Sequence, residues 1–252
     1  MSENNKSEPA ERMPSRSELS AFMDAWLLAD VPLAGRKVID ICCGKAGVMN
    51  TSGPLQIRIR KSELANLCGV HAVRTDRLKA DLDILMYIKL RVTAMKTEGR
   101  SDLEFRLVQN CEILSGPDVQ AVEIAVQFTD MASMYFLSGR YQRMLRACMP
   151  QVMKLRSCNA YRFYEYIIWN AGRAKWTVPI DDIRKFFHCS DSRTYDEYKY
   201  LKKQILQKNQ AEIQTKTGTC FSCNPVRTGR KVIAVTFSCD AKNSTDEQGG
   251  EQ

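Results

Sequence analysis

The residues of this chain best suited to act on another molecule are cations between positions 193 and 231. Arg193, Lys199, Lys202, Lys203 and Lys208 fall at the start and along the solvent side of a helix predicted over Thr194 to about Gln214. Arg227, Arg230 and Lys231 follow around Thr228-Gly229, where Gly229 permits a tight hairpin tip. Lysines on an exposed helix face neutralise phosphates, and an arginine at a helix start can pair with a guanine edge. Arg193 is the candidate for that reading role. Tyr195 and Tyr198 offer hydroxyls to a phosphate, although Tyr198 suits the core equally well. A lysine-rich helix alone also fits a plain solvated face. A basic hairpin tip directly after it favours a polyanionic partner. Arg74, Arg77 and Lys79 form a weaker set near the start of an earlier helix, with Asp76, Asp81 and Asp83 among them.

Other reactive side chains do not assemble into a site. Cys220 and Cys223 have zinc-ligand spacing, but a structural site needs four ligands, and only Cys189, His188 and Cys239 remain to complete it. Alternation along a strand puts Cys220 and Cys223 on opposite faces, so no metal is expected. Cys42 and Cys43 read as core filler. His71 and His188 lack a paired nucleophile, and they do not form an HxH pair. Gly44-Lys45-Ala46-Gly47 is too short for a phosphate-binding loop, and no GxGxxG follows a strand. No enzyme activity and no cofactor are expected.

The elements that must position these residues show in the periodicity. The chain has 252 residues and a net charge of +8, enough for two small domains or one large one. Ten cysteines at irregular spacing and a polar N-terminus without an apolar segment predict reduced thiols in a cytoplasmic protein. No run of apolar residues is long enough to cross a membrane. Polar tails are expected over 1–16 and 241–252. Ser17 is the expected cap of a first helix, and Gly35 to Cys43 begins a second, followed by a Gly-rich loop from Gly44 to Pro54. Leu55 to Ile59 alternates as a strand, Ser62 caps a short helix, and Arg74 to about Lys89 forms a longer one. Strands are read at Leu90 to Met95, Leu103 to Leu114 and Val122 to Phe128, with turns at Lys96 to Asp102 and at Gly116-Pro117-Asp118. Met131 to about Lys154 is mainly helical, and Ser157 caps the next helix. A short extended piece at Trp176 to Val178 leads to a helix capped by Asp181 or Asp182. The long basic helix and a closing strand pair then finish the fold.

The two halves share a pattern. The segment starting at Ser62 returns at Asp181, 119 residues later, and at that offset Leu64 meets Ile183, Leu67 meets Phe186, Leu82 meets Leu201 and Met86 meets Ile205. The order strand, short helix, long helix, hairpin defines a winged helix, so the expected class is α+β with two winged-helix domains in tandem, over 17–130 and 131–240.

The second half resembles the initiator proteins of iteron-containing plasmids, a Rep family with two winged helices. The resemblance rests on Leu155 to Ile167 with Ser157, Arg162, Tyr164 and Glu165 in register, on Val178 to Phe187, on Tyr195, Leu201, Lys202, Ile205, Glu212 and Ile213 of the long helix, and on Gly229 to Phe237. It covers about 85 residues well and the first half more loosely. The chain has Phe163 where the family usually has leucine, and Gln214 where it usually has asparagine. The resemblance implies double-stranded DNA as partner, at direct repeats of an origin, with the second domain as the main DNA-binding unit. It also implies recruitment of a host initiator and replicative helicase, and a monomer–dimer equilibrium in which the first domain dimerises and dimers repress the protein's own gene. A winged-helix transcriptional regulator and a protein-interaction scaffold are the rival readings.

Overall fold

The computed structural model describes residues 14–46, 55–96, 99–115 and 122–239. The expected polar tails beyond 14 and 239, the glycine-rich loop over 47–54 and the turn at Gly116-Pro117-Asp118 lie outside the described residues. So do positions 97 and 98 of the first hairpin turn.

Helix α1 (Arg16–Leu28) is capped by Ser15, not by Ser17. Glu18 stands three residues after Ser15, so each side chain bonds the other's backbone N–H, at 2.8 and 3.3 Å. Helix α2 (Leu33–Ala46) follows and includes Gly44, which the sequence placed in a loop. The first winged unit is β1 (Gln56–Arg60), α3 (Lys61–Leu67), α4 (Thr75–Leu85), β2 (Lys89–Lys96), β3 (Gly99–Arg106), β4 (Val108–Leu114) and β5 (Glu123–Phe128). Ser62 lies inside α3 and Arg60 holds the cap position without a side-chain bond. Helix α4 stops at Leu85, because the chain must turn for Leu90 and Val92 to reach the core.

The stretch from Leu103 to Leu114, read as one strand, is two. Strand β3 pairs with β2 in a hairpin of its own, while β4 joins β1 and β5 in a sheet of order β1-β5-β4. Leu107 is the crossing point: it is fully buried, its N–H donates to Ile88 and its carbonyl accepts from Thr129. The hairpin β2–β3 is therefore inserted between the second helix of the unit and its wing.

Helices α5 (Asp130–Phe136), α6 (Gly139–Val152) and α7 (Cys158–Asn170) join the units. Ser157 caps α7, its hydroxyl accepting from the Ala160 N–H at 3.0 Å. Pro150 falls in the last turn of α6 and does not break it. The second unit is β6 (Lys175–Pro179), α8 (Ile180–Phe186), a 3₁₀ turn (Arg193–Asp196), a long helix α9 over 198–217, β7 (Phe221–Thr228) and β8 (Lys231–Cys239). Its sheet order, β6-β8-β7, repeats β1-β5-β4: first strand, last strand, middle strand. Strand β6 and helix α8 begin and end 119 positions after β1 and α3. The residues paired at that offset match in burial. Leu64 and Ile183 are core, as are Leu82 and Leu201, while Met86 and Ile205 are both half-buried. Pro179 occupies the cap position of α8; Asp181 and Asp182 sit in its first turn, where they meet the positive end of the helix.

One hydrophobic cluster runs through both units. In the second, Phe163 meets Phe187, Phe221 and Phe237 edge-on at 5.3, 5.3 and 5.8 Å. The seam between the units is polar and sealed. Arg36 and Glu165, both without solvent exposure, pair at 3.2 Å, and Arg36 also donates to the carbonyls of Trp26 and Ala29 at 2.8 Å. Asp40 accepts from the hydroxyls of Tyr141 at 2.8 Å and Tyr161 at 2.5 Å. Burial first, then the Asp40 charge, pushes Glu165 up to about 8, against the pull of Arg36. Burial raises Asp40 to about 6, against its tyrosine partners and Arg36.

Candidate nucleic-acid interface

The candidate interface is built by α9, the wing β7–β8 and the turn before them. Helix α9 consists of Tyr198–Tyr200, a π-helical stretch Leu201–Leu206 and Gln207–Thr217. Leu201 and Leu206 are five residues apart and both buried. In an α-helix they would point about 140° apart. The i→i+5 bonding of a π-turn returns both to the core side. Their burial leaves Lys199, Lys202, Lys203 and Lys208 exposed. Asn209, nearly buried, is satisfied by Ile205, to whose carbonyl its amide donates at 2.8 Å. Gly218, with φ +73°, ends the helix.

The start of α9 differs from the sequence expectation. Arg193 does not open the helix; it belongs to a separate 3₁₀ turn, and Glu197 is extended between the two. Arg184, largely buried on α8, holds Asp196 at 2.5 Å and the Ser190 carbonyl at 2.8 Å. That tertiary clamp delays the helix by one turn. Arg193 remains exposed ahead of it. Tyr195 is half-buried against the core, its hydroxyl donating to Gln204 at 3.4 Å. Tyr198 is core-packed too, and its buried hydroxyl has no partner among the described residues.

Burial, then the Cys223 thiol, raises the pKa of Tyr198 while Arg227 lowers it, so the wing arginine lies within electrostatic reach of the first turn of α9. Arg227 donates to the Arg230 carbonyl at 3.2 Å across the tip, and Gly229 makes the turn at φ +58°. Arg227, Arg230 and Lys231 are all exposed. The structure thus gathers Arg227 and Tyr198, with Lys199 one residue on. A long helix beside a hairpin with an exposed basic tip is the arrangement by which one element enters a major groove and the other follows the backbone.

Arg74, Arg77 and Lys79 sit apart from that group, at the cap and first turns of α4, and all are exposed. Arg77 lies near Asp81, whose pKa burial raises and Arg77 lowers. The tip of the first wing, between β4 and β5, falls outside the described residues. The clamp Arg184–Asp196 is not legible in the sequence; an arginine twelve residues before an aspartate carries no periodic signal, and only the folded turn brings them together.

Among the described residues no three His, Cys, Asp or Glu side chains are grouped to hold a metal. Cys220 lies exposed before β7, and Cys223 is half-buried, its thiol pushed up to about 12, mainly by burial. Cys111 rises to about 12 for the same reason, and burial raises Cys42, Cys43 and Cys148 further. No described helix is long and apolar enough to cross a membrane.

Fold and site define a tandem winged-helix protein with a basic helix and wing in its second unit. The chain belongs to the initiator Rep protein family: the family model for "Initiator Replication protein, WH1" matches residues 26–168, and that for "Initiator Rep protein, WH2" matches residues 179–239. It is a replication initiator of that family. No curated protein matches the chain. Among solved structures, a crystal structure of domains 2 and 3 of RctB has a TM-score of 0.50 at 11% identity, covering 87% of this chain and 83% of that one. A second structure of RctB domains 2–3 has a TM-score of 0.46 at 10% identity, covering 82% of each chain. The likeness to the first is one of fold.

Proposed function

We propose that the chain initiates plasmid replication by binding direct repeats at an origin as a cytoplasmic DNA-binding protein. The observation that carries the reading is the pairing of an exposed lysine face on α9 with an arginine tip on the adjoining wing, in a chain whose two halves both match initiator Rep models. The second unit is the main DNA-binding domain. Lys199, Lys202, Lys203 and Lys208 contact phosphates, Arg227, Arg230 and Lys231 follow the backbone at the wing, and Arg193 reaches the groove from the turn ahead of α9. Arg74, Arg77 and Lys79 take the adjacent groove. The domains divide near residue 130, the first carrying dimerisation. Monomers open the origin and bring in the host initiator and helicase, and dimers repress the gene.

Footprinting on the DNA flanking the gene tests this directly. The expected result is protection of tandem repeats of roughly twenty base pairs, two modules reading two grooves. A fragment carrying those repeats, and no other initiator, should then replicate when the protein is supplied. Protection of a single operator with no replication would make the protein a transcriptional regulator of the same fold. Absence of any protected repeat rejects the proposal.

A further inference from the structure

A second basic surface lies away from the wing. Helix α6 begins with Gly139, and Arg140 stacks its guanidinium 4.0 Å over the ring of Trp169. Partial burial first, and then the charges of Arg16, Arg173 and Arg143, lower the pKa of Arg140, so four guanidinium groups share this spot. Arg143 leans back over the helix start: its Nη1 lies 3.3 Å from where a Cβ on Gly139 would stand. The positive end of a 14-residue helix adds to the same field. Arg16, Arg140, Arg143 and Arg173 make no ion pair within 4 Å among the described residues.

An apolar groove adjoins these arginines. It has a volume of about 330 Å³ and runs between α1, α7 and α8, with Leu27, Leu28, Tyr166, Val178 and Phe186 along its walls. Leu28 is 43% exposed there. Tyr166 lines the groove, and Trp169, three residues further along α7, carries Arg140, so groove and rim lie along one face of that helix. Two acids line the groove beside these four cations: Asp182 is paired with Lys185 at 3.1 Å, and Asp24 lies within the field of Arg173.

This surface is remote from the wing tip. Arg173 precedes Lys175, which pairs with Ser238 at one end of the sheet, whereas Thr228 pairs with Lys231 at the other. Seven residue steps along β8 separate the two ends, about 23 Å at the rise of an extended strand. A duplex held by the wing does not account for it, and a duplex offers nothing apolar to fill a groove. A protein segment with carboxylates on one face and large apolar side chains on the other supplies both.

We propose that the groove between α1 and α8, with its arginine rim at the start of α6, docks an acidic amphipathic segment of a partner protein. Charge complementarity sets the rim contacts, and a leucine or phenylalanine anchor fills the groove. The inference does not depend on which DNA the chain binds.

The test uses the full chain and a fluorescent synthetic helical peptide of about 18 residues, leucines on one face and glutamates on the other. Its scrambled isomer and a duplex DNA of arbitrary sequence are the controls, all in 0.15 M salt, where exposed charges act over about 8 Å. Saturable binding is expected, about tenfold tighter for the amphipathic peptide than for the scrambled one. The double variant Arg16→Glu/Arg143→Glu and the single variant Leu28→Glu, all at exposed positions, should each weaken peptide binding about tenfold and change DNA affinity less than about twofold. Thermal melting would confirm that both variants fold. Three outcomes overturn the proposal: no saturable peptide binding, equal binding of the scrambled peptide, or peptide binding unmoved by folded variants. A loss of DNA affinity equal to the loss of peptide affinity would likewise reject it and give the arginines to a DNA surface.

Discussion

The first and second winged units share a scaffold and differ in what they present to solvent. Both order their strands first, last, middle, and both place core residues at positions 119 apart. The second exposes lysines on α9 and arginines at its tip, whereas α4 mixes Arg77 and Lys79 with Asp76, Asp81 and Asp83. The first also carries an extra hairpin between helix and wing. Packing constrains the inward face of such a unit closely, because interiors are close-packed, while its outward face is free to vary with the partner.

The largest expected effect falls on the seam that joins the units. Arg36→Met leaves the Glu165 carboxyl and the carbonyls of Trp26 and Ala29 without their buried donor, and should destabilise the protein by about 3–5 kcal/mol in urea titrations. An intact midpoint would mean that the halves hold together without this pair. Next come Leu82→Ala and Leu201→Ala, equivalent positions both within the core, each expected to lose about 2–5 kcal/mol. Similar losses support the equivalence of the units; a neutral change at one would break it.

DNA binding should then separate what stability does not. Lys202→Ala/Lys203→Ala should weaken DNA affinity about tenfold across sequences and reduce the slope of log affinity against log salt by about 2. Arg77→Ala/Lys79→Ala should weaken it by no more than about threefold, given the neighbouring carboxylates. Equal losses in the two variants would erase the contrast between the units. The smallest effect concerns pH. Asp40 and Glu165 both have folded-state pKa values raised above their ordinary ones, so their contribution to stability is fully present below about pH 4 and is lost as pH rises from there through about 6 for Asp40 and about 8 for Glu165. Unfolding free energy should drop over that window, and Glu165→Gln should flatten the upper part of the slope. A profile unchanged by that variant would assign the slope elsewhere.

The repeat was legible in the sequence because apolar spacing reports burial directly: Leu64 with Ile183 and Leu82 with Leu201 needed no structure. The break at Leu107 was not legible, since the chain changes sheet partner there without a glycine or proline while its apolar alternation continues. The start of α9 was misread because a contact from another helix, Arg184 to Asp196, decides it. Arg36, Asp40 and Glu165 look like surface residues in sequence. Their burial depends on partners more than a hundred positions away, and the pairing of Asp40 with Tyr141 and Tyr161 carries no local pattern. At the candidate interface, sequence identified the exposed cations and the glycine of the wing tip. It did not place Arg193 off the helix or commit Tyr198 to the core.

The uneven exposure of the ten thiols has a practical consequence. Cys220 is exposed, while the others are buried or half-buried. A maleimide applied to the folded protein should therefore attach first at Cys220, and intact-mass measurement should find a single early adduct there. That position precedes β7, just after the helix proposed to enter DNA. One dye placed there by the native sequence would give a reporter of binding and of sliding along a duplex, with no cysteine removed or introduced.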